Sequence, residues 1–358
     1  MTASRIRALA LVGAGLLLVA CGKPGSPLPP ERVAPQPVAN LTGVVADRAV
    51  EVSWAIPTRR VDNARLRDLV ALHLFRAEDD GSGDPKPALL VSRGVAGYAE
   101  IATVRVEDPA PAVVAGSRMT FVDRTRLTPG RRYTYVVLAE DARGHVSRPS
   151  PRLSVTLIAV PSAPTAVQAE PGDREVRLAW QAPTRLQDGA GVVEPLAYEI
   201  LRAPVPDAPT VAVATTPAGA TGFVDRNLDN ERAYAYVVRA LRTALATLAR
   251  GEASERVTAT PVDTTPPGPP TELVAIPSEG AVRLVWVPSE DTDVARYIVY
   301  RGRERAGLVR VGSTAAPGTT FIDREVPAGR WRYAVSAQDT SSRANESARS
   351  ADMTVTVP

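Results

Sequence analysis

The same four-part set of aromatic motifs occurs three times along this chain, and that repetition limits the fold more than any other feature. Trp54 stands in AVEVSWAIPT, Trp180 in EVRLAWQAPT and Trp286 in AVRLVWVPSE. Each stretch alternates apolar and polar residues, as a strand with one buried face does. LHLFRA, YEILRA and YIVYRG follow at 72–77, 198–203 and 297–302. Phe121-Val122-Asp123-Arg124, Phe223-Val224-Asp225-Arg226 and Phe321-Ile322-Asp323-Arg324 come next. The last motif is YTYVVLA, YAYVVRA or WRYAVSA, starting at Tyr133, Tyr234 and Trp331. The Phe positions stand 102 and 98 residues apart, and only Tyr98 of the 17 aromatic residues falls outside the pattern. A small β-sandwich spends its rings this way, on the inward face of each copy. The chain therefore reads as all-β, with Trp54, Trp180, Trp286, Phe121, Phe223, Phe321, Tyr133 and Tyr234 as core positions.

A length of 358 residues suits two or three domains. The charged share of 23% excludes a polytopic membrane protein and a wholly disordered one. A single Cys excludes a disulfide framework and any Cys-based metal cluster. The formal charge is +3, but Arg5 and Arg7 lie in a segment expected to be removed, which leaves the remainder near neutral. Nucleic-acid binding therefore has no support from charge.

These motifs resemble the fibronectin type III domain, in three copies over residues 38–358. In that family the Trp stands on the second strand and no disulfide is needed, whereas an immunoglobulin domain places it on the third strand beside one. Leu127-x-Pro129-Gly130 before Tyr133, and Leu228 six residues before Tyr234, resemble the family's tyrosine corner. The resemblance implies that the ring hydroxyl bonds to upstream backbone there. The third copy departs, because Val326 precedes Trp331 by only five residues and an indole N–H replaces the hydroxyl.

The Pro-rich stretches IAVPSAPTAV and PVDTTPPGPPTEL mark the joints. The expected domains are 38–160, 161–262 and 263–358, arranged as a semi-rigid rod of beads. The first copy is longer: Trp54 to Phe121 spans 67 residues, against 43 and 35 in the others. This insertion after the third strand is a natural place for a specific contact.

Residues 1–20 read as a signal peptide. Arg5 and Arg7 precede an uncharged apolar run at 8–20, which is too short for a stable membrane span. Leu18-Val19-Ala20-Cys21-Gly22 resembles the bacterial lipobox. The resemblance implies acylation of Cys21 (a palmitate-bearing lipoprotein), anchorage in a membrane through that residue and, with Gly22 rather than Asp next, sorting to the outer membrane. Residues 21–37 carry the lipidated Cys and six prolines, and read as an extended tether.

Catalytic chemistry finds little material. His73 has outward parity between Leu72 and Leu74. His145 sits in a turn beside Asp141, with no nucleophile placed by a motif. The acidic run Glu290-Asp291-Thr292-Asp293 lacks a calcium-loop pattern. No catalytic residue, metal site or cofactor is expected. Arg242-TALATLA-Arg250 is apolar for a loop, and Leu241, Leu245 and Leu248 have spacing compatible with a short helix; they are the candidate partner-binding loop, and the alternative is an extended hairpin or a helix folded against its own sandwich. Only Tyr98, Phe75 and Tyr300 are expected to face outward as rings. The expected function is a lipid-anchored, non-catalytic binding or spacer scaffold of the cell envelope with an unidentified protein partner and no nucleic acid. The rival expectations are a polysaccharide-binding surface protein and a non-catalytic accessory chain of an envelope hydrolase.

Overall fold

The computed structural model describes residues 33–358 apart from Pro206 and Glu304. Cys21, the apolar run before it and most of the proline tether lie outside the described residues.

Three β-sandwiches follow one another. The first comprises β1 (Ala39–Ala46), β2 (Ala49–Ala55), β3 (Leu69–Asp79), β4 (Leu90–Val91), β5 (Gly94–Val95), β6 (Ala99–Arg105), β7 (Val113–Ala115), β8 (Arg118–Asp123), β9 (Arg132–Asp141) and β10 (Leu153–Thr156). The second comprises β11 (Thr165–Pro171), β12 (Glu175–Gln181), β13 (Ala197–Ala203), β14 (Val211–Thr215), β15 (Gly222–Arg226), β16 (Tyr234–Ala244), β17 (Thr247–Ala253) and β18 (Val257–Ala259). The third comprises β19 (Thr271–Ser278), β20 (Ala281–Val287), β21 (Val294–Arg303), β22 (Val309–Ala315), β23 (Thr320–Arg324), β24 (Gly329–Asp339) and β25 (Met353–Val357).

In the third copy the layers are β19-β20-β23 and β22-β21-β24-β25. This three-on-four arrangement is the fibronectin type III fold, and the other copies repeat it. Trp54, Trp180 and Trp286 lie buried on the second strand of their copies, β2, β12 and β20. Tyr133, Tyr135, Val137 and Ala139 all enter the first core, as their shared parity predicts. Phe121 is buried, while Phe223 and Phe321 are half-buried against their cores. The Tyr133 hydroxyl accepts from Thr128 N at 2.6 Å, and the Tyr234 hydroxyl from Asp229 N at 3.1 Å. The third corner closes with reversed polarity: Trp331 Nε1 donates to the Pro327 carbonyl at 2.8 Å.

Two expectations need correction. The first concerns beads on a rod. The layer β14-β13-β16-β17 of the second sandwich and the layer β1-β2-β8-β7 of the first are one continuous sheet, joined in that order. The joining step is a parallel pairing of β17 with β1, with Val44, Val45 and Ala46 opposite Leu248, Ala249 and Arg250. The edge of the first sandwich is thus covered by a strand from the second, which removes its open row of backbone donors and acceptors.

The second correction concerns outward-facing rings. Phe75 is only 4% exposed, because the insertion folds back over the outer face of β3 and β9. Phe75, Val95, Val136 and Leu138 form a small second core there, with Ala88, Tyr98 and Val146 against it. Tyr300 is buried under the Arg349 guanidinium, 4.0 Å from its centroid, and bonds to Glu346.

Candidate functional site

One polar network recurs in every copy and accounts for the Phe-x-Asp-Arg motif. Asp123, Asp225 and Asp323 are buried at the ends of β8, β15 and β23. Each accepts from a Tyr of the opposite layer: Tyr135 at 2.9 Å, Tyr236 at 2.9 Å and Tyr333 at 2.7 Å. Each also pairs with an Arg on the third strand of its copy: Arg76 at 2.7 Å, Arg202 at 2.9 Å and Arg301 at 2.9 Å. Burial, and then the neighbouring carboxylate, pushes all three Tyr hydroxyls far up. They stay protonated and cross-link the layers, so this network is structural and holds no group ready to transfer a proton.

The pole at which the chain enters the first sandwich carries a charge network centred on Asp141. Asp141, fully enclosed, accepts from Arg60 Nη1 at 2.7 Å, His145 Nδ1 at 3.0 Å and the backbone N–H of Arg143 and His145. Burial alone would raise this carboxyl; the Arg60 and His145 bonds and the two backbone donors outweigh it and hold it down at about 2. Arg60 also pairs with Asp68 at 2.5 Å and donates to the Val33 carbonyl, so one guanidinium ties the entering chain to two loops.

His73 lies on the outer face of its sheet between Glu100 and Glu140, each 2.9 Å away. Thr103 Oγ1 is 3.3 Å from His73 but donates to Glu100 at 2.5 Å. Its proton is therefore directed to a carboxylate rather than to an imidazole base, and the cluster is not set up as a nucleophile–base pair. In the third copy Asp263, Asp293 and Asp339 bring carboxylate oxygens within 4.8 Å of one another. These are the described residues with a donor set suited to a hard divalent ion. Of the acidic run singled out above, only Asp293 belongs to the set; Asp291 instead accepts from Gly268 N at 2.6 Å.

Leu241, Leu245 and Leu248 do not lie on a helix. They belong to a hairpin in which Leu245 and Ala246, both at positive φ, form the two-residue turn between β16 and β17. Leu245 is exposed at that turn, Leu241 is half-buried, and Leu248 lies opposite Val44. The hairpin's contact within the chain is the first sandwich. Ala249 enters that core, Thr247 Oγ1 accepts from Thr156 N at 2.9 Å, and Arg250 pairs with Glu51. The signal for this contact is a period of two from Thr247 to Gly251, in which the inward residues are Thr, Ala and Gly. Counting large apolar residues passes over it. An open groove of about 790 Å³ runs beside the joint, walled by Leu127, Pro129, Leu157, Leu186 and Val193 with Arg48 at its rim.

No family model matches the chain. Exoglucanase B of Cellulomonas fimi is 34% identical over 259 residues, which is 69% of this chain and 22% of that protein. Endoglucanase B of Cellulomonas fimi is 30% identical over 282 residues, 74% of this chain and 25% of that protein. The chain thus spans about a quarter of the length of the curated relatives it matches. Among solved structures, the FN1–FN3 domains of chicken CNTN1 cover 90% of this chain and 99% of theirs at 16% identity, with a TM-score of 0.29.

Proposed function

We propose that this chain is a lipid-anchored, non-catalytic spacer of the cell envelope that presents its sandwiches to a protein partner. The observation that carries the reading is the strand shared between the first two sandwiches. A backbone ladder between modules resists bending far better than a Pro-rich joint alone, which suits a part whose work is to hold a distance. The buried carboxylates of Asp123, Asp225 and Asp323 support the same reading, since each is tied into a structural ion pair. Acylation at Cys21, the proline tether after it and an outer-membrane address supply the fixed end. No helix among the described residues is long and apolar enough to cross a membrane.

The glucanase likeness favours a second reading. The matched stretch covers more of this chain than of either glucanase, so the sandwich array corresponds to a part of those proteins. A non-catalytic accessory of a polysaccharide hydrolase fits that pattern. One experiment tests the anchor: growth with an alkynyl fatty acid should label the wild-type chain, and Cys21→Ala should remove the label. An unlabelled wild-type chain would refute it. Co-purification of a hydrolase with the native chain, with retention on a β-glucan column, would move the assignment to the second reading.

A further inference from the structure

We propose that the entry pole of the first sandwich rests on an anionic phospholipid surface, with Leu89, Leu90 and Val91 at the headgroup boundary and the surrounding arginines on phosphates. This inference rests on the anchored reading above and adds the surface on which the anchored body sits. Leu89, Leu90 and Val91 are 61%, 41% and 57% exposed. Three consecutive exposed aliphatic residues are not expected on a surface without a partner. They belong to the insertion that the other copies lack, and they form the outer leg of the β4–β5 hairpin, Leu90 opposite Val95.

Named contacts place this hairpin at the pole where the chain enters. Arg93, in the hairpin turn, donates to Glu140 at 2.6 Å and to the Gly144 carbonyl at 3.1 Å, just past β9. Asp141, the last residue of β9 and three before Gly144, holds Arg60, which holds the Val33 carbonyl. Thirty-two residues precede Val33, among them the apolar run and Cys21. An anchor at Cys21 therefore draws this pole, rather than the opposite one, toward the bilayer.

The charge of the pole fits phosphate. Arg59, Arg65, Arg67 and Arg143 are exposed around it. Of the nearby carboxylates, Asp68 and Asp141 are taken by Arg60 and Glu140 by His73 and Arg93, while Asp62 is exposed and accepts from Ala64 N at 3.0 Å, so four exposed arginines face one exposed acid on this loop pair. An aliphatic leg with a guanidinium rim is the composition that binds an anionic interface, and a second, weaker contact of this kind orients a body already held by lipid. The same pole offers no stacked aromatic platform for a sugar, because Phe75 is buried beneath the insertion.

The experiment uses the full chain with an environment-sensitive fluorophore on Leu90→Cys, in vesicles of phosphatidylcholine with and without phosphatidylglycerol, both carrying nitroxide lipid. The expected result is a blue shift and quenching with phosphatidylglycerol. A probe on Val211→Cys, exposed on β14 of the second sandwich, should show neither. Arg65→Glu with Arg67→Glu should reduce quenching roughly tenfold, with an unchanged melting curve. Absent quenching in phosphatidylglycerol, or equal quenching at both probe sites, overturns the proposal. A shift at Leu90 that arises only when another protein is added also overturns it and assigns the hairpin to a protein groove. The mass of the purified chain reports acylation separately. An unmodified Cys21 refutes the anchor while flotation with the same vesicles still reads the Leu90 contact.

Discussion

The first and third sandwiches balance the same pair of acids differently at the same corner of the same fold. Four residues before the third-strand motif stand Asp68 in the first copy and Asp293 in the third, and each carbonyl accepts from the residue just after the end of β9 or β24, Ala142 or Thr340. Asp141 and Asp339 end β9 and β24 in the same way. In the first copy the guanidinium of Arg60 lies between the acids; in the third the linker contributes another acid, Asp263. The cause is loop length. Trp54 to Leu72 is 18 residues, but Trp286 to Tyr297 is 11, so the arm that carries Arg60 is missing from the third copy. The second copy keeps the 18-residue arm, and Leu186 makes the backbone bond of Arg60. There the charge moves to the strand end, where Arg242 pairs with Glu194 at 3.0 Å. The sandwich tolerates all three solutions because the corner lies outside its core. What the core requires is the backbone path, and the counter-charge is free to come from loop, strand or solvent.

The largest expected effect comes from Arg60→Ala, which leaves Asp141 enclosed without its guanidinium. The first sandwich should lose about 3–5 kcal/mol in urea unfolding, as when one partner of a buried pair is removed. A loss below about 1 kcal/mol would mean that the corner behaves as an ordinary surface pair and the comparison has no energetic content. Acid gives the next effect. The Asp141 carboxyl sits at about 2 in the folded chain against an ordinary value of 3.8. Its stabilisation is present above about pH 4 and is lost as pH falls toward 2, by about 2 kcal/mol in all. Unfolding of the Asp141→Asn variant should lack that part of the pH dependence; an identical acid limb would refute it.

Trp331→Phe carries the comparison to the opposite pole. It removes the indole donor from the Pro327 carbonyl and should cost the third sandwich about 1 kcal/mol, similar to Tyr133→Phe in the first. A neutral Trp331→Phe would show that the reversed corner is only packing. The smallest effect is expected at Asp263→Asn, which relieves like-charge repulsion in the third corner. In chelator and low salt its unfolding free energy should rise by about 0.5 kcal/mol, and high salt should erase the gain. A destabilised variant would show that the three acids are already compensated.

Part of this was legible beforehand. The three copies, the strand that carries each Trp and the inward parity of Tyr133, Tyr135, Val137 and Ala139 all follow from alternation and spacing, which local backbone geometry imposes on any sequence with one buried face. The corner of the third copy was legible as a site but not as a bond, because a Trp in the Tyr slot leaves open which upstream group it meets. The pairing of β17 with β1 was not legible. Its inward residues are Thr247, Ala249 and Gly251, and their smallness, which lets two backbones approach, is also what hides them from a hydrophobic count. The spacing of Leu241, Leu245 and Leu248 allows a short helix as well as an extended hairpin, and the two positive-φ positions at Leu245 and Ala246 carry no Gly or Asn to announce the turn. The cover over Phe75 was equally hidden, since nothing in an insertion's composition says which face it will fold back upon.

The amino-acid sequence by itself determined how many sandwiches form, which strands build them and which rings fill them, because those choices rest on periodicity within a dozen residues. Only the tertiary structure decided that the first two sandwiches share a sheet, that Arg60 rather than solvent neutralises Asp141, and that an aliphatic hairpin ends up at the pole where the chain enters. Those outcomes depend on which edges and loops meet across 51 residues (Arg93 to Gly144), 81 (Arg60 to Asp141) and 204 (Val44 to Leu248) of chain, and no local pattern encodes such a meeting.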